Sequence, residues 1–86
     1  MVDCADAFDN HGCNGGLPSH AFEYITAAGG ISTESAYPYY AFTNDCTVDK
    51  STFALTVKGG SVNITQGDED ELKEAIYAHG PVSVAF

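Results

Sequence analysis

The sequence predicts an α+β fold built from two unlike parts. Two observations carry that expectation. Apolar residues recur at helical spacing across residues 17 to 28 and are followed by glycines and a long loop; beyond Cys46 they alternate with polar residues, then give way to a second helical stretch. The change falls near residue 52, with helix and loop before it and strand, helix and strand after it.

Leu17, Ala21, Tyr24, Ile25 and Ala28 fall on one helical stripe. Pro18 suits the first turn, where its missing N–H costs nothing, and Gly29-Gly30 suit the C-terminal cap, so the predicted helix covers residues 17 to 28. Ile31 to Ser35 allows one short turn. Pro38 pushes Tyr37 out of helical conformation, and Tyr37-Pro38-Tyr39-Tyr40 reads as an extended aromatic loop within a loop from 36 to 52. Phe53, Leu55 and Val57 then alternate with Ala54, Thr56 and Lys58, the period of a strand, until Gly59-Gly60 breaks it. A second short strand is expected from Ser61 to Thr65. Gly67 leads into Asp68, Glu69, Asp70 and Glu71, acids that favour the positive end of a helix carrying Leu72, Ala75, Ile76 and His79 and stopping at Gly80-Pro81. Val82 to Phe86 reads as a final strand with no polar tail.

At 86 residues the chain makes one domain at most, and 44% apolar content supplies a core rather than disorder. A core this small needs a crosslink, a metal or a partner. Twelve acids against three lysines give a net charge of −9, which disfavours nucleic acid and anionic membrane surfaces as partners. No apolar stretch approaches the roughly 20 residues of a membrane span. Met1-Val2-Asp3-Cys4 is neither a signal nor a transit peptide, and Phe86 closes an apolar strand; both ends are expected to be cuts through a longer polypeptide.

The run Gly12-Cys13-Asn14-Gly15-Gly16-Leu17-Pro18 places a cysteine beside two glycines with bare backbone. Without Cβ atoms another chain can approach to hydrogen-bonding distance, and Leu17-Pro18 offers an apolar lip beside it. That arrangement suits the gripping of an extended peptide; Gly15-Gly16 alone also reads as an ordinary turn. Cys4, His11, Cys13 and His20 are zinc-ligand types, but their spacing matches no Cys-x2-Cys pair, and no metal site is expected. Asn63-Ile64-Thr65 is a glycosylation sequon.

Six blocks in order then carry a resemblance: Val2-Asp3-Cys4, Gly12 to Pro18, Ala21-Phe22-Glu23-Tyr24-Ile25, Ala36-Tyr37-Pro38-Tyr39, Ser61 to Thr65, and Pro81 to Phe86. Together they resemble the middle of a papain-family cysteine peptidase, most of all the cathepsin H and aleurain branch. The resemblance implies a partial papain-like fold, with residues 1–60 a portion of the helical left domain and 61–86 the start of the right β-barrel domain. It makes Asn14, Gly15 and Gly16 the stretch whose backbone pairs with substrate, Leu17 and Pro18 the left wall of a specificity pocket, and Ala85 part of its floor.

The family's nucleophile lies in a Cys-Gly-Ser-Cys-Trp type signature, and this chain has no tryptophan. No catalytic residue is therefore assigned here, and His11, His20 and His79 match no catalytic position. The resemblance also implies a Cys4 to Cys46 disulfide, with Cys13 left unpaired. It implies a parent chain that hydrolyses peptide bonds without a cofactor, in a lysosome or vacuole or after secretion. The expected partners are peptide or protein substrate and the remainder of the peptidase chain. Two other classes compete: a truncated product that binds peptides or a peptidase without catalysis, and a small disulfide or metal module unrelated to peptidases.

Overall fold

The computed structural model describes residues 1–85. Two α-helices of equal length, α1 (Pro18–Ala28) and α2 (Glu69–His79), precede and follow in the chain the two strands of an antiparallel sheet, β1 (Ile31–Ser32) and β2 (Phe53–Leu55). Single 3-10 turns occupy Asp6–Phe8, Gly12–Asn14 and Lys50–Thr52.

Helix α1 starts one residue later than expected because Leu17 is its extended N-cap. Its end follows from Gly29, which takes the left-handed conformation at φ 94° and returns its N–H to the Ile25 carbonyl at 3.1 Å. Helix α2 begins where Asp68 accepts the Glu71 N–H at 2.9 Å, while Glu69, Asp70 and Glu71 face the positive end of the helix dipole.

The strands depart furthest from expectation. Ile31 and Ser32, expected in a turn, form β1, opposite Leu55 and Phe53 respectively; the turn follows at residues 34–36. The alternation from 53 to 58 yields strand only over Phe53–Leu55, as far as β1 reaches. Neither Ser61 to Thr65 nor residues 82 to 85 form strands, and the last residue expected in the final strand, Phe86, lies outside the described residues. Alternation marks a surface ready for a ladder, but a strand exists only where another backbone supplies its hydrogen bonds.

The core sits under the first helix. Ala5 and Ile25 are its buried apolar residues, at 2% and 7% exposure. Phe8 meets Tyr24 edge-to-face with ring centroids 5.9 Å apart, joining the Asp6–Phe8 turn to α1. Burial raises the Tyr24 phenol above its ordinary value, and the nearby Tyr37 adds to the shift. Helix α2 buries no residue.

Candidate functional site

A disulfide joins Cys4 to Cys46 across 42 positions and brings the 40s loop against the N-terminus. Asp3 fastens the same junction: one carboxylate oxygen accepts the Tyr37 hydroxyl at 2.7 Å and the other the Asn44 N–H at 2.8 Å. Tyr37 in turn accepts the Thr47 N–H at 3.2 Å. The Asn44 N–H, and then the Tyr37 hydroxyl, hold the Asp3 carboxyl below the usual carboxylate range. With Cys4 bound to sulfur, the set of zinc-ligand types noted in the sequence loses a member, and no three His, Cys, Asp or Glu among the described residues form a metal-binding group.

From this junction the loop reaches the glycine-rich segment. The Cys13 N–H donates to Thr43 Oγ1 at 3.2 Å, and the Cys13 thiol is free and exposed. The segment also closes on itself, with His11 N–H to the Gly15 carbonyl at 2.8 Å and Asn14 N–H to the His11 carbonyl at 2.9 Å. Asn10 completes the frame. Its amide nitrogen donates to the carbonyls of Ala5 and Phe8 at 3.5 and 3.4 Å, while its Oδ1 accepts the Leu17 N–H at 3.1 Å at the start of α1.

Asn14 to Pro18 are all exposed. Gly15 adopts φ 114°, where only glycine is at ease, and the space beside it is open. A Cβ on Gly16 would overlap the Asn10 carboxamide. Among the described residues, neither the N–H nor the carbonyl of Gly16 has a hydrogen-bond partner. An exposed, unpaired peptide group inside a loop held on both sides can accept an extended chain as an added strand.

Ala85 is exposed on irregular backbone beyond α2, and no hydrogen bond among the described residues ties it to the loop. A cavity of about 290 Å³ lies elsewhere, lined by Tyr24, Tyr37, Tyr39, Tyr40, Phe42 and Phe53 among others, and none of residues 14 to 18 borders it. The candidate loop is thus one wall without an opposing one.

Of the predicted histidines, His11 lies 3.4 Å from Asp9 on the exposed surface. His20 keeps a buried Nδ1 with no partner among the described residues. His79 sits in the last turn of α2, where a basic group suits the dipole. Asn10 and Thr43 are not singled out in the sequence reading, and Asp3 and Tyr37 stand there only as members of larger blocks; the roles of all four depend on partners up to 41 positions away. A side-chain amide within a turn-rich run was the one available hint for Asn10.

A family model described as papain family cysteine protease matches residues 1–86. The chain is 57% identical to pro-cathepsin H of Medicago truncatula and 55% identical to thiol protease aleurain of Arabidopsis thaliana, in each case over all of this chain and 24% of the relative. Among solved structures it is similar to digestive procathepsin L 3 of the Tenebrio molitor larval midgut. That likeness has a TM-score of 0.83 at 38% identity and covers 91% of this chain and 25% of the other. The chain spans about a quarter of the length of these relatives.

Proposed function

Because the chain belongs to the papain family of cysteine proteases, we propose that Asn14 to Pro18 form one wall of a substrate groove in a longer peptidase. The supporting observation is the exposed Gly16 peptide group, unpaired among the described residues and framed by Asn10 and the His11–Gly15 bond. An extended substrate pairs its backbone with Gly16, and Leu17 and Pro18 receive a neighbouring side chain. Ala85 contributes from the facing side once the rest of the fold is in place.

Peptide-bond hydrolysis belongs to the parent. A cysteine thiolate attacks the carbonyl, a histidine imidazole moves the proton, and fixed N–H donors receive the developing oxyanion. The residues assigned in this chain bind and orient substrate; the 86 residues alone have no turnover. Residues 1–60 belong to the half bearing the groove wall and 61–86 open the facing half. The parent works in a lysosome or vacuole, or after secretion, in keeping with the Cys4–Cys46 crosslink. Its partners are peptide or protein substrate and the remainder of its own chain, and it needs no cofactor.

The test leaves the protein intact. Fluorogenic peptides N-methylated at successive backbone positions are offered to the parent enzyme. Methylation of the amide that faces Gly16 lowers kcat/KM at least about tenfold, the equivalent of one lost hydrogen bond. Equal rates for every methylated peptide, or thiol-blockable turnover by the 86-residue chain, would overturn the assignment.

A further inference from the structure

We propose that Asn10 is a positioning residue of the groove wall: its carboxamide fills the space of a Gly16 side chain and fixes the Gly16 peptide group where an extended substrate can pair with it. The inference rests on the groove reading above and names the side chain on which the pairing depends.

The two adjacent glycines are glycine for different reasons. Gly15 lies at φ 114°, a backbone region costly for any L side chain, with open space around it. Gly16 is not among the glycines of positive φ, so its backbone is one that alanine could adopt. What excludes a side chain there is Asn10. A Cβ on Gly16 would overlap the Asn10 Oδ1 and stand 3.0 Å from its Cγ and 3.2 Å from its Cβ. The space is filled from within the protein, by a polar group.

The same carboxamide is held from two directions. Its nitrogen donates to the carbonyls of Ala5, a core residue, and Phe8, at 3.5 and 3.4 Å, while Oδ1 accepts the Leu17 N–H at 3.1 Å. Asn10 therefore bridges the core to the residue that follows Gly16. Because Oδ1 takes the Leu17 N–H, that donor is withheld from a substrate, whereas the N–H and carbonyl of Gly16 stay unpaired among the described residues. One side chain thus decides which peptide group of the loop is left for an added strand. Placement of this kind matters to rate, since a misplacement of ~1 Å can cost on the order of a hundredfold. Oδ1 is also the far end of a side chain, so Gly16→Ala is accommodated by Asn10 turning away, which releases Leu17.

The test uses the parent enzyme and paired fluorogenic peptides, one of each pair N-methylated at the amide that faces Gly16. In wild type the methyl group lowers kcat/KM at least about tenfold. Asn10→Ala should bring that ratio down toward one, and Asn10→Asp, which keeps an oxygen against Gly16 and Leu17, should keep most of it. Gly16→Ala displaces the same carboxamide, so the double variant Asn10→Ala/Gly16→Ala should be no worse than the poorer single one. Titration of the reactive thiol counts the folded sites in every sample. Should Asn10→Ala fail to fold, the aspartate variant decides, and a ratio of one in it overturns the proposal. A wild-type ratio retained by Asn10→Ala, or losses that multiply in the double variant, overturns it as well. A ratio of one in wild type removes the groove reading and this inference together, so the two failures are told apart.

Discussion

Residues 1 to 55 and residues 56 to 85 each carry one α-helix but have very different fates. The first region is tied by a disulfide, by the Asp3 and Asn10 networks and by a two-stranded sheet, and it holds both buried apolar residues. The second has a helix capped at both ends that buries nothing, with Tyr77 94% exposed, between two segments whose alternation finds no partner. Local sequence is enough to make a helix, because its hydrogen bonds close within one segment. A strand is a relation between segments, and the second region contains only one side of each relation.

The sharpest way to break this contrast is to cut the crosslink. A Cys46→Ser change opens a loop of 42 positions, worth about 4 kcal/mol in the chain-entropy model. Hydrogen exchange should show α1 and the sheet losing protection while α2 is unchanged; equal loss in α2 would mean that the two regions are one cooperative unit.

Removing side chains from the two helices draws the same line at smaller scale. Ile25→Ala empties a buried position and should cost about 3 kcal/mol. Ile76→Ala, at a position already 50% exposed, should change the stability of this chain by less than about 0.5 kcal/mol. Denaturant midpoints of the two variants measure the gap, and a similar cost for both would show α2 to be packed after all.

Much of this organisation is legible in the sequence. Pro18, Gly29, Asp68 and Gly80 mark the helix ends to within a residue, since caps act over one turn. Tyr37-Pro38 and the loop after it were equally plain, because proline acts on its neighbour. What escaped were the long-range relations: β1, whose partner lies more than 20 positions on, and the hold of Asn10 on Leu17. The glycine-rich loop is visible as residue types, whereas the unpaired Gly16 peptide group depends on a frame built from distant side chains.

Two finer effects sharpen the comparison within each region. Asp68→Ala removes the cap of α2 and should cost about 1 kcal/mol of helix stability, read as faster amide exchange confined to its first turn. In the first region Asp3 titrates below its ordinary 3.8, so its contribution is complete above that pH and is lost as pH falls through the lower folded value. Wild-type chain should therefore lose stability below pH 3.8 more steeply than Asp3→Asn, whose amide does not titrate there. Parallel acid-unfolding curves for the two would remove Asp3 from the account of this junction.

The bridge from Cys4 to Cys46 has one more consequence, for damage rather than folding. A protease that clips the exposed Tyr39-Tyr40 stretch severs the backbone inside the loop the bridge closes, yet the two products stay joined through sulfur. Such a nicked molecule migrates as a single species on a gel until a reductant is added.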